Sequence, residues 1–110
     1  MERGFITAMV AVAAAGSIAV LFSGSVDAAQ PTGEALFKQH CAVCHVGGGN
    51  LITPRKTLHK KDREKNNIKT AEAIIKTMRN PGPGMTAFNE KTIPEKDARA
   101  LAEYILTTFK

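Results

Sequence analysis

Cys41-Ala42-Val43-Cys44-His45 is the stretch that decides how the rest of this chain is read. It has the C-x-x-C-H spacing of a covalent haem attachment site. Two thiols three positions apart on one helical turn reach the two vinyl groups along one side of a porphyrin. The imidazole directly after them then lies under the iron as its proximal ligand. Two other chemistries use cysteines at this spacing. A thioredoxin-like redox pair sits in a strand-and-helix alternation that this sequence lacks. A zinc site needs four ligands, and beyond Cys41, Cys44 and His45 only His40 and His59 remain, at unsuitable spacing. The reading is one haem c, attached through Cys41 and Cys44, with His45 on the iron.

Upstream of the motif, a weakly apolar run from Phe5 to Phe22 carries no charged side chain, and Val26-Asp27-Ala28 places small residues where a signal peptidase reads. The pattern predicts an export signal over residues 1–28 and a soluble domain over 29–110. The competing reading is a retained membrane anchor, since about 20 residues span a hydrocarbon core. The run is rich in Ala, is interrupted by Thr7, Gly16 and Ser17, and has no Lys or Arg cluster to close it. An exported domain of this size has a protein core worth only about 3–5 kcal/mol and needs a staple. Its two cysteines are too close together to close a useful loop. A covalently held haem supplies what the disulfides do not.

The second axial ligand decides what the haem does, and the candidates are Met78, Met85, His40 and His59. Met78 completes the i, i+3, i+4, i+7 pattern of Ala71, Ile74 and Ile75, so its role is core packing. His40 is tied to the attachment helix beside Cys41. His59 lies among Lys60, Lys61 and Arg63, where a solvated histidine is expected. Met85 follows Pro81-Gly82-Pro83-Gly84, a segment that cannot continue a helix and must turn. Such a loop can aim a thioether at an iron. Methionine opposite histidine favours the ferrous state, raises the potential and fills the last coordination position.

Periodicity predicts an all-α chain. A first helix runs over residues 33–45 from a cap near Thr32, and a second over 56–66. A third, capped by Thr70, covers 71–80, and a last one begins with Thr92 as cap, Pro94 in its first turn and Glu95 completing a capping box. Ala98, Leu101, Ala102, Ile105 and Phe109 form the apolar stripe of that last helix, with Tyr104 at its edge. The neighbourhood of Pro54 is expected to give a backbone carbonyl to the outer ring nitrogen of His45.

The chain carries a net charge of +5, which rises to +6 without residues 1–28 because Arg3, Glu2 and Asp27 go with them. Seven basic side chains lie between Arg55 and Lys69, against Asp62 and Glu64. They form either a solvated helix face with pairs such as Lys60 and Glu64, or a docking patch for a partner protein with an acidic surface. Nucleic acid is excluded as a partner, because no aromatic side chains interleave with the charges.

Together these residues resemble the class I c-type cytochromes and, within them, the cytochrome c6 type of soluble one-haem electron carrier. The resemblance is carried by Gly33-Glu34-Ala35-Leu36-Phe37, Cys41 to His45, Gly47-Gly48 with Asn50, and Pro54 followed by Lys56-Thr57-Leu58. It continues through Ile74-Ile75, Asn80, Met85-Thr86-Ala87-Phe88 and Ala102-Glu103-Tyr104. It implies a small cytochrome c fold, with four to five helices wrapped around the haem. The first and last helices would cross where Gly33 lets Phe37 and Tyr104 pack closely.

The resemblance also implies His45 and Met85 as axial ligands and makes Asn50 and Lys56 candidate contacts to the haem propionates. Where the family usually has Met-Pro-Ala-Phe, this chain has Met85-Thr86, with prolines at 81 and 83 instead. The expected role is a monomeric carrier of single electrons between redox proteins, in a periplasm or an equivalent space such as the family's thylakoid lumen, and not an enzyme. The alternatives are a haem peroxidase or ligand-binding sensor with a displaceable sixth ligand, and a membrane-tethered subunit of a redox complex.

Overall fold

The computed structural model describes residue 11, residues 13–17 and residues 30–110. The expected signal over residues 1–28 otherwise lies outside the described residues. Four α-helices follow one another: α1 (Gly33–His40), α2 (Lys60–Lys65), α3 (Ala71–Arg79) and α4 (Glu95–Thr108), with a short 3-10 turn at Val46–Gly48. No strand occurs among the described residues. The all-α expectation holds.

Thr32 and Thr70 begin α1 and α3 as expected, each hydroxyl accepting a hydrogen bond at 3.1 Å from a backbone N–H three residues on, of Ala35 and Ala73. Three boundaries differ from expectation. α1 stops at His40 because the Phe37 carbonyl takes both the Cys41 and the Ala42 N–H, which interrupts the helical ladder. α2 starts only at Lys60, since the Lys56 carbonyl and the Thr57 side chain are used to close a loop. α4 has Pro94, not Thr92, at its N-cap and no side-chain cap. The Thr92 N–H is instead bound by the Asn89 side chain at 3.0 Å. The entry of α4 is fixed by Ile93 and Ala98, buried on either side of the first turn in the positions of a hydrophobic staple.

The core forms where α4 crosses α1 and packs on α3. Leu101, Ala102 and Ala98 of α4 are fully enclosed, and Ile74, Ile75 and Met78 of α3 meet them, so Met78 takes the packing role read from its spacing. α1 can approach α4 this closely because residue 33 is glycine. A Cβ there would lie 2.7 Å from the Tyr104 Cβ and would also strike the Ala100 carbonyl. Phe37 stacks on Tyr104 and Phe109 with ring centroids 5.4 and 5.3 Å away. Aromatic pairs of this kind add about 0.5–1.5 kcal/mol beyond their burial.

Candidate functional site

Beyond α1 the chain makes one further turn, closed by hydrogen bonds from the Cys44 and His45 N–H groups to the Cys41 carbonyl, at 3.2 and 2.9 Å. That turn brings the two thiols and the imidazole to one cavity of about 380 Å³. The cysteines do not form a disulfide. Burial pushes the Cys41 thiol up from 9.0 to about 11, so at neutral pH it is a thiol and not a thiolate.

His45 is almost fully buried, and its Nδ1 lies 2.7 Å from the Gly49 carbonyl. An Nδ1–H donated to that carbonyl leaves Nε2 as the lone-pair nitrogen, the tautomer that a metal requires. The carbonyl therefore comes from Gly49 and not from the neighbourhood of Pro54. The reason is local. Gly47 and Gly48 have φ of +60° and +81°, and this left-handed pair folds the chain back beneath the ring within four residues.

Gly48 is doubly constrained, because a Cβ on it would run into the Phe109 ring. The C-terminal end of α4 thus sits directly on the turn that holds His45.

Met85 reaches the same cavity from the loop between α3 and α4. Gly84, with φ of +91°, makes the turn before it, and a Cβ there would lie 3.1 Å from the Ile52 side chain, so the two cavity-lining loops touch. Met78 and His40 also line the cavity, His40 edge-on to Phe88 at 5.9 Å, whereas the exposed His59 does not.

Asn50 and Lys56 lie at the cavity as well. The Asn50 Oδ1 accepts hydrogen bonds from the Ile52 and Thr53 N–H groups, and its Nδ2 donates to the Lys56 carbonyl at 2.9 Å. Most of its bonding capacity is spent on shaping the loop. The Lys56 side chain is exposed, and its ammonium lies 4.0 Å from where a Gly82 Cβ would be.

Two arginines were not singled out by the spacing arguments. Arg79 donates to the carbonyls of Phe88 (3.1 Å) and Ile93 (2.7 Å), fastening the far end of the Met85 loop to α3. Its place in the last turn before Asn80-Pro81 is the one sequence signal it gives. Arg63, counted by charge among the seven basic residues of a surface patch, is 4% exposed and lines the cavity. The other six, Arg55, Lys56, Lys60, Lys61, Lys65 and Lys69, are exposed. The expected Lys60–Glu64 pair is present at 3.9 Å with both side chains in solvent, where it adds little stability.

The donor set fits a covalently bound haem: two thiols and an oriented imidazole from one segment, a thioether from another, and mainly aliphatic walls from Leu58, Ile74, Ile93, Leu101 and Ile105. Among the described residues no helix is long and apolar enough to cross a membrane. Residues 28–105 match the family described as cytochrome c oxidase, cbb3-type, subunit III. Cytochrome c6 of Aphanizomenon flos-aquae is 44% identical over 75 residues, which cover 68% of this chain and 85% of that one.

Among solved structures, outer-membrane cytochrome F of Geobacter sulfurreducens aligns with a TM-score of 0.69 at 47% identity, covering 71% of this chain and 99% of its own. Cytochrome c6C of a Synechococcus aligns at 0.65 and 30%, over 70% of this chain and 93% of its own. The chain belongs to the class I c-type cytochromes, as a one-haem member of the group that includes cytochrome c6, and haem c is its cofactor.

Proposed function

We propose that this cytochrome is a diffusible carrier of single electrons between proteins outside the cytoplasm, with thioether links at Cys41 and Cys44 and with His45 and Met85 as axial ligands. When bound, haem c supplies the one-electron ferric–ferrous couple. The observation that carries the reading is the 2.7 Å contact between His45 Nδ1 and the Gly49 carbonyl, which orients the imidazole while Met85 reaches the same cavity. The cysteines would fix the ring covalently, the Gly49 carbonyl holds the His45 tautomer, and Met85 would take the remaining iron position and keep small ligands out. Asn50 and Lys56, both at the cavity, are the residues that would meet the propionates.

Val46 and Leu51, outside the cavity lining, are 65% and 70% exposed beside the attachment turn and give a partner an apolar contact close to the cofactor. The six exposed basic residues from Arg55 to Lys69 steer an acidic partner toward it. The match to the cytochrome family begins at residue 28, in keeping with residues 1–28 as a removable export signal.

The oxidised protein is expected to show the near-infrared band of sulfur bound to ferric iron, and Met85→Ala to abolish it and lower the potential. Rapid carbon monoxide binding by the reduced wild-type protein, or absence of the band, would instead indicate a displaceable sixth ligand and reject the carrier.

A further inference from the structure

Among the described residues Arg63 is the only buried side chain that carries a permanent charge. It has no carboxylate partner there. Its Nε donates to the Leu58 carbonyl at 2.7 Å and its Nη2 to the Phe109 carbonyl at 3.3 Å. Of the two acids beside it in sequence, Asp62 accepts the Thr57 hydroxyl at 2.6 Å and Glu64 faces Lys60 in solvent. Taking a guanidinium out of water against two neutral carbonyls is unfavourable unless something else in the site compensates the charge. Arg63 lies in the wall between the haem cavity and a surface hollow edged by Lys60, Lys69 and Lys110. Among the side chains of that hollow, three lysines stand against Glu64 alone. The cavity is therefore the better source of compensation.

We infer that Arg63 raises the reduction potential of this site, by holding a fixed positive charge inside the cavity wall. The inference rests on the proposed His45 and Met85 ligation. Reduction removes one positive charge from the centre, while the two propionates keep theirs negative throughout. A cation fixed in the wall therefore interacts more favourably with the reduced form than with the oxidised one. Water screens it little, because it is buried, and arginine keeps its charge. The exposed lysines on the same helix are screened by water and salt.

The same guanidinium also ties Leu58, whose N–H is bound by the Gly48 carbonyl at 2.7 Å, to the chain end at Phe109. A purely structural clamp is thus the competing account, and the two predict different measurements. Midpoint potentials of the holoprotein are compared for wild type, Arg63→Met, Arg63→Lys and Lys61→Gln, at low and at high salt, with the sulfur–iron band recorded in each. Arg63→Met is expected to move the electron equilibrium roughly tenfold toward the oxidised form, about 59 mV for one electron. The shift should be the same at both salt concentrations. Arg63→Lys should retain most of the wild-type potential, and Lys61→Gln should show a small shift that vanishes in high salt.

By linkage, Arg63→Met should also lower the unfolding midpoint more in the ferrous than in the ferric protein. If Arg63→Met yields no holoprotein, Arg63→Gln, which keeps a donor for one carbonyl, carries the same comparison. A potential within twofold of wild type in equilibrium constant overturns the inference. So do equal losses in the Lys and Met variants, or a shift that comes with loss of the band. A wild-type protein without the band overturns the ligation itself, a separate failure.

Discussion

Residues 41–58 and residues 80–94 both line the cavity, but they are anchored in different ways. In the first, backbone bonds recur every few residues, from Cys44 and His45 to Cys41, from Leu51 to Cys44, and from Leu58 to Gly48. Asn50 adds three side-chain bonds to the same loop. In the second, the nearest backbone bonds on either side of Met85 are from Asn80 to Lys76 and from Phe88 to Met78. Residues 81–87 between them make none among the described residues. The histidine side is therefore shaped by the polypeptide before any ligand bond forms, whereas the methionine side is a strap fixed at its ends. Local openings start where backbone bonds are few, so the bond that yields first should be the one to Met85.

The largest expected effect comes from breaking the rigid side. Gly48→Ala puts a Cβ into the Phe109 ring at a left-handed φ, and the strain and overpacking together should cost about 2–5 kcal/mol in chemical denaturation. A loss below 1 kcal/mol would mean that the turn beneath His45 yields easily and that the contrast between the loops is false.

Arg79→Met attacks the strap at its anchor. It leaves the Phe88 and Ile93 carbonyls without this donor, at about 1–3 kcal/mol. The sulfur–iron band should then fade at a denaturant concentration where far-ultraviolet circular dichroism still reports folded helices. Coincident transitions would show that strap and core open as one unit.

Thr86→Pro sharpens the comparison in the other direction. The Thr86 N–H makes no hydrogen bond among the described residues, so proline removes no bond and stiffens the strap. Thermal loss of the band should shift upward, by about 0.4–1 kcal/mol in the stability of the ligated loop. A downward shift would show that the loop requires a backbone angle that proline refuses.

The smallest effect concerns the entry to α2, where the Thr57 hydroxyl donates to Asp62 at 2.6 Å. That hydrogen bond holds the Asp62 carboxyl below the ordinary aspartate value of 3.8. A depressed folded value means that the contribution is present above the unfolded value and is lost as pH falls through the folded one. Thr57→Val should move the Asp62 titration upward in a carbon-detected NMR experiment and remove that part of the acid dependence below about pH 4. An unchanged titration would assign the depression to Lys61 and Lys65 instead.

Much of this molecule was legible in local sequence. The C-x-x-C-H spacing gave the attachment, Thr32 and Thr70 gave two helix starts, the stripe of α4 gave its buried face, and Gly33 gave the crossing with α1. Each is a statement about neighbours within a turn or two, or about a residue type that admits only one use, and short-range geometry decides such matters. What tertiary structure alone decided is which distant groups meet. The carbonyl beneath His45 proved to be that of Gly49, because two left-handed glycines fold the chain back sooner than a bend at Pro54 would. Thr92 lost its capping role to the packing of Ile93 and Ala98. Arg63, to local reading one more charge in a basic run, is buried because the end of α4 returns past α2 and offers it the Phe109 carbonyl, 46 residues away. Charge and spacing are properties of a segment, but burial is a property of what folds over it.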